Sequence, residues 1–234
     1  MPNEATVIII LHTPLAIQDN ATVLRPSAST AGTMYEAPAI EADPARVRKM
    51  FDSNVFGLFE VVTAFAPLIV AAVPGASASP TIVNVSSVIA HVPIAFSSAY
   101  NASKAAVCSY SDTLRLELSP LGVRVVTLFM GEVSTALIST DGINFGPESL
   151  YADVEYKVKE RTTRHFKVFM TPDAFAKQVI PKLLDNNGGS SIWKGTNAFI
   201  IWLLHAIGPQ SAFDSIIKSG VGSNNKSLVK KIYE

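Results

Sequence analysis

The stretch NVSSVIAHVPIAFSSAYNASKAAV, residues 84–107, sets a serine pair, a tyrosine and a lysine into an otherwise apolar run. Its start closes TIVNVSS (81–87), an apolar segment that alternates poorly, as a strand covered on both faces does. Its end opens SAYNASKAAVCSYSDTLRLELSPLG, where apolar positions recur at helical spacing and the pattern stops at Pro120 and Gly122. Strand into helix puts Ser87 at a strand's carboxyl end and places Tyr100 and Lys104 at i and i+4 on one helix face. In open α/β sheets, ligands bind at such strand ends. A lysine one turn from a tyrosine lowers the phenol's pKa by placing a positive charge beside the phenolate, which makes the tyrosine a usable acid or base near neutral pH. A serine hydroxyl opposite it holds a substrate oxygen through the same transition state. Taken alone, Tyr-x-x-x-Lys is common by chance and reads more readily as a surface lysine and a buried tyrosine that happen to fall at helical spacing.

Outward from this stretch the element types alternate. ATVIIIL (5–11) is a β-branched run suited to a buried parallel strand, and ATVLRPSASTAG (21–32) reads as a second strand ending in a small-residue turn. DPARVRKMFDSNVFGLFEVVTAFAPLIVAA (43–72) opens with an aspartate cap and a proline at the first helical position. It then keeps a helical period, with a bend expected near Gly57 or Pro67. VRVVTLFMG (123–131) is the strand after the second helix, and TPDAFAKQVIPKLLDNN (171–187) is a further capped helix. Strand, helix, strand, helix, strand is the pattern of a parallel sheet with helices on both faces, built from about five strands, in a single α/β domain over 1–234.

Composition narrows the classes. Nineteen basic against nineteen acidic side chains give zero formal net charge, which supports no nucleic-acid partner. Hydrophobic residues make up 48% and charged residues 16%, so most of the chain belongs to a packed core or an apolar contact. The one cysteine, Cys108, lies in an apolar helical pattern as a buried inert thiol and suits a reducing compartment, the cytoplasm. The first residues carry no basic region of a secretory leader. His91 and His205 stand isolated in apolar surroundings, and His12 and His165 show no ligand spacing, so no metal site is indicated.

A set of ordered motifs resembles the short-chain dehydrogenase/reductase family, over most of residues 21–200. TIVNVSS is similar to the strand bearing the catalytic serine, and YNASK to the Tyr-x-x-x-Lys box. FDSNVFG is similar to the segment supplying a fourth catalytic residue at Asn54. STAG (29–32) is similar to the Asn-Asn-Ala-Gly turn with both asparagines replaced, and MGEVST (130–135) to a Pro-Gly segment near the nicotinamide with Met130 for proline. Within the family, MYEAP, FDSNVFG and SDTLRLELSPLGVRVVT most resemble fungal acyl-dihydroxyacetone-phosphate reductase-like members. The resemblance implies a Rossmann-like sheet, the catalytic set Ser87, Tyr100, Lys104 and Asn54, and NADP held by Gly32, Asn54, Tyr100, Lys104, Gly131, Val133 and Thr135. It also implies a homodimer built on the two long helices.

One departure is large. The family's first strand runs into a Thr-Gly-x-x-x-Gly-x-Gly turn whose amides and helix terminus receive the cofactor pyrophosphate. Here TVIIIL runs into HTPLAIQDN with no glycine before Gly32. The expected fold is therefore a reduced Rossmann-like sheet lacking the first glycine-rich βαβ part, through deletion or because the chain is part of a longer one. Residues 1–20 form an atypical strand segment, 21–200 the catalytic core and 201–234 an apolar segment and tail.

Three functions stay open. One is NADP-dependent reduction of a carbonyl on a hydrophobic small molecule. Another is a cofactor-independent isomerase, cyclase or lyase using the same tyrosine, and the third is an inactive remnant or binding subunit. Residues 136–170 are polar and irregular, where the family places a substrate-covering loop, and read equally as a lid or a plain surface loop. NAFIIWLLHAI (197–207) is too short to span a bilayer, for which about 20 apolar residues are needed. Packing into the core is the favoured reading, with a peripheral membrane or partner contact as the alternative.

Overall fold

The β-branched runs become parallel strands. In the computed structural model, β1 (Val7–Ile10), β2 (Thr81–Ser87), β3 (Arg124–Met130) and β4 (Ser191–Lys194) form a four-stranded sheet in the order β1-β2-β3-β4. The structure describes residues 7–10, 32–135, 137, 139–209 and 211–221, with only the backbone of 7–10 and 165–168. β1 pairs in register with the first half of β2, from Val7 opposite Thr81 to Ile10 opposite Asn84. The second strand expected over 21–32 falls outside the described residues except for Gly32, as do His12, Thr13 and Pro14, where the glycine turn was sought. The expected number of about five strands becomes four among the described residues, and β4 is one the sequence reading did not anticipate.

Both sheet faces are covered, which is why the strands alternate so poorly. Ile82 and Val125 pack with Leu58, Val62, Val107 and Leu114 of the helices on one face. Their chain neighbours Val83 and Val126 pack with Val179 and Leu183 of another helix on the opposite face. Successive strand residues point to opposite sides, so each of these neighbours needs its own apolar cover. Every such aliphatic side chain taken fully from water contributes about 1.5–3 kcal/mol.

The long helix of the sequence is one continuous run in three pieces. α1 (Pro44–Phe51) starts where Asp43 Oδ1 accepts from the Ala45 N–H, a π-helical turn follows over Asp52–Phe56, and α2 (Gly57–Ala72) continues through Pro67. A bend is expected near Gly57 or Pro67; just before Gly57 stands this π turn, and Asn54 sits at its centre, fully buried. The span Pro44–Gly75 is long and apolar enough by length and composition to cross a membrane, yet its Leu58, Val62 and Ile69 belong to the core beside the sheet. α3 (Ser98–Leu118) ends through a short 3-10 turn at Gly122, whose φ of 78° is the left-handed conformation glycine adopts most easily.

The remaining helices are α4 (Glu155–Val168), α5 (Pro172–Leu184), α6 (Ala198–Ile207) and α7 (Asp214–Gly220). α4 lies inside the region read as irregular. The buried Val154 just before it and its own Val158 and Thr162 recur at helical spacing, while Glu155 with Lys159 and Glu160 with Arg164 pair one turn apart on its outside. For α6 the favoured core reading is overturned. Only Ala198 is buried, and Phe199 and Ile207 are 69% and 78% exposed, because the helix meets the sheet through one narrow edge at β4.

Candidate active site

β2 divides the serine pair between two environments. Ser86 is buried, donates to the Lys104 carbonyl at 3.0 Å and lies 3.0 Å from Cys108 Sγ, so it ties the strand to α3. Ser87 ends the strand beside Met130 of β3, donates to the Met130 carbonyl at 3.2 Å and accepts from the Ile89 N–H. Tyr100 and Lys104 follow on the first turns of α3, both buried. The Tyr100 hydroxyl has no hydrogen-bond partner among the described residues. Lys104 Nζ donates to the Val85 carbonyl at 3.1 Å, stands 5.7 Å from the Tyr100 ring centroid and forms no ion pair among the described residues.

The electrostatics differ from the simple expectation of a depressed phenol. Burial pushes the Tyr100 phenol above its usual value, and burial pushes the Lys104 ammonium down to about 8. Desolvation acts against the charged form of each, and the ammonium lies beside the ring and its carbonyl partner rather than against the phenol oxygen. The phenol is thus held protonated through neutral pH, as a weaker acid than an exposed tyrosine.

Asn54 joins the set through structure. Its carboxamide donates to the Thr33 carbonyl at 3.0 Å and accepts from the Thr33 N–H at 2.9 Å, and it donates to Ser103 Oγ at 3.1 Å. Ser103 in turn donates to the Tyr100 carbonyl at 2.8 Å. The π turn, the segment after Gly32 and the first turns of α3 are therefore one bonded unit. Asn54 spends both of its amide atoms inside it.

The other residues assigned to the cofactor divide as well. A Cβ on Gly131 would lie 2.4 Å from the Thr196 carbonyl oxygen, so this glycine serves the close approach of the β3 and β4 ends. A Cβ on Gly32 would meet only Asn54 Oδ1, at 3.7 Å. Val133 is buried and bridges to Met170, while Thr135 is half-buried. His91 and His205 are not isolated. Their ring centroids are 4.0 Å apart, and His91 also lies 5.2 Å from Phe129, which stacks on Trp193.

Two residues the sequence reading passed over, Glu36 and Arg161, meet as an ion pair beside the start of α3. The signal was slight: one carboxylate between Tyr35 and Ala37 in a segment otherwise free of charge up to Glu41.

Comparison with known proteins bears on this arrangement. The family model described as short chain dehydrogenase matches residues 23–142. The short-chain dehydrogenase srdE of Neurospora crassa is 35% identical over 80% of this chain and 62% of its own length. The NADPH-dependent 1-acyldihydroxyacetone phosphate reductase of Schizosaccharomyces pombe is 36% identical over 74% of this chain and 58% of its own. The chain thus spans about three fifths of the length of these curated relatives. A short-chain dehydrogenase from Streptomyces avermitilis shares the fold with a TM-score of 0.61 at 24% identity, covering 83% of this chain and 69% of its own. One from Burkholderia cenocepacia, solved in complex with NADP, does so with a TM-score of 0.54 at 23% identity, covering 80% and 66%. With a parallel sheet flanked by helices, an ordered serine, tyrosine and lysine, and a family match over half its length, this chain belongs to the short-chain dehydrogenase family.

Proposed function

We propose that the chain carries the reducing centre of a nicotinamide-dependent oxidoreductase, which converts a carbonyl of a hydrophobic small molecule to a hydroxyl. The observation that carries this reading is the buried Tyr100, whose hydroxyl has no hydrogen-bond partner among the described residues, one helical turn from a Lys104 ammonium that bonds to the Val85 carbonyl of β2 and has no ion pair among them. A Lys104 ammonium with one hydrogen bond has two N–H groups left, and with Tyr100 this donor set fits a ribose hydroxyl and a carbonyl oxygen. The Asn54 Nδ2 donates twice and the Gly131 N–H once within the protein, so neither group enters this donor set. When bound, NADPH would supply the hydride to the carbonyl carbon.

The chain's own part is to hold and protonate the oxygen. Ser87 Oγ, turning from the Met130 carbonyl, orients the carbonyl oxygen, and Tyr100 donates its proton as the new C–H bond forms. One O–H and one C–H bond replace the carbonyl π bond. The phenolate left behind is stabilised once the Lys104 ammonium swings from the Val85 carbonyl toward the phenol oxygen, until solvent returns the proton. Exposed Phe56, Phe59 and Leu68 on the α1–α2 run and Leu116 on α3 support a homodimer through this face, as the family resemblance implies.

The test is conversion of a panel of long-chain aliphatic ketones with and without NADPH. Consumption of NADPH is expected in the wild type, with a loss of about a hundredfold or more in Tyr100→Phe. Consumption indifferent to Tyr100 would overturn the reading. Conversion without NADPH that is lost in Tyr100→Phe would replace it with the isomerase or lyase alternative.

A further inference from the structure

The turn that delivers Tyr100 to the site is built against local preference. Ser97 stands at the cap position of α3, where a serine hydroxyl normally accepts from the helix's own amides, yet it makes no cap bond. Its hydroxyl donates to Glu36 Oε1 at 3.2 Å instead. Phe96, one residue earlier, has φ of 69°, the left-handed conformation that costs a residue with a Cβ about 1–2 kcal/mol. Such strain persists only where surrounding contacts outweigh it.

Those contacts converge from one hub. The Ala37 N–H donates to the Phe96 carbonyl at 2.8 Å, and Arg161 Nη1 donates to the Ala95 carbonyl at 3.2 Å. Residues 95, 96 and 97 therefore each hold one bond to the Glu36–Ala37 segment or to Arg161. The hub closes on itself, since the Arg161 guanidinium also donates to Glu36 Oε1 and Thr162 Oγ1 donates to Glu36 Oε2 at 3.4 Å. Glu36 is 5% exposed, so removing one partner would leave the other charge buried without compensation.

The same elements seat α4 and the segment before it. The Phe96 ring packs with Ile143, Val154 and Val158, which come from that segment and from α4. A second clasp lies five residues after Glu36, where Glu41 accepts from Ser149 Oγ at 2.6 Å and from the Leu150 N–H at 3.0 Å. The segment following Gly32 thus grips the 143–162 region at two points and the entry to α3 at a third.

We propose that Glu36 is a positioning residue for the proposed reduction: through its pair with Arg161 it holds the Ala95–Ser97 turn, and with it Tyr100, in register with the seated α4 segment. It acts through Tyr100 and touches no substrate. The idea rests on the reductase reading for its catalytic consequence, while the mechanical coupling stands apart from it. Losing the pair frees the strained turn to relax, which shifts the first turn of α3 and displaces the phenol.

The experiment uses the full chain and two variants. Glu36→Gln keeps hydrogen-bonding atoms but loses the charge, and Arg161→Lys keeps the charge but loses the fork that reaches Ala95. Displacement of a proton donor by about an ångström lowers kcat by about ten- to a hundredfold, so both variants are expected to lose kcat in that range with KM changed less than about threefold. Hydrogen exchange at the amides of Tyr100–Lys104 is expected to speed up in both variants, more than exchange in α5. An unchanged kcat, or an unchanged exchange pattern over Tyr100–Lys104 in Arg161→Lys, would overturn the proposal. If the wild type shows no NADPH-dependent turnover, the reductase reading fails and the exchange comparison alone decides the coupling.

Discussion

Lys104 carries the sharpest consequence at the scale of the residue. Its ammonium is buried and drawn down to about 8 from an ordinary 10.5, so between these values the unfolded chain holds more of this proton than the folded one. Stability therefore rises with pH from about 8 upward, until the raised Tyr100 phenol begins to act in the opposite sense above 10, where the unfolded tyrosine ionises and the folded one does not. The buried charge costs the fold about 3 kcal/mol at neutral pH, at roughly 1.4 kcal/mol per pKa unit. Lys104→Met is expected to raise stability by about 1–3 kcal/mol at pH 7 while abolishing turnover, with the gain shrinking toward pH 10. Urea midpoints measured across that range decide it, and a variant less stable than the wild type at pH 7 would show that the bond to Val85 outweighs desolvation. Ser87, Tyr100 and Lys104 were legible because a strand end and a helical turn place them without reference to the rest of the chain. Glu36 and Arg161 were not, because they lie 125 residues apart and no local pattern pairs them.

Elements explain two glycines that family resemblance treats alike. Gly131 lies where the ends of β3 and β4 touch backbone to backbone, and its N–H donates to the Lys194 carbonyl at 2.7 Å. An added methyl there would lie 2.4 Å from the Thr196 oxygen and must push the strands apart, whereas at Gly32 it meets an ordinary contact. Gly131→Ala is expected to cost about 1–3 kcal/mol by overpacking, and Gly32→Ala less than about 0.5 kcal/mol. Equal urea midpoints for the two variants would contradict this account. The helices flanking the site were legible from caps, period and stop signals. α4 was not, since its polar outer face hides the stripe of Val154, Val158 and Thr162, and its ion pairs were read as loop polarity.

At the scale of the whole molecule, the described sheet runs in consecutive strand order, with α2 and α3 packed on one face and α5 on the other. The outward side of the α1–α3 layer still exposes Phe59 and Leu68, at 43% and 56%. Sedimentation velocity at micromolar concentration is expected to give a dimer, and Leu68→Glu a monomer of unchanged circular dichroism; a monomeric wild type would end the dimer proposal. The sequence by itself determined the class of fold and put Ser87 at a strand end and Tyr100 with Lys104 on the first turns of a helix, because strand and helix periods, caps and stop residues act within a few positions along the chain. Only the tertiary structure decided that the Asn54 amide bonds to Thr33 and Ser103, that Gly131 sits against the Thr196 carbonyl, that α6 lies largely exposed, and that a buried carboxylate and guanidinium bond to the turn before α3. Those outcomes depend on which surfaces meet across long separations in sequence, where desolvation and steric contact have no local signature.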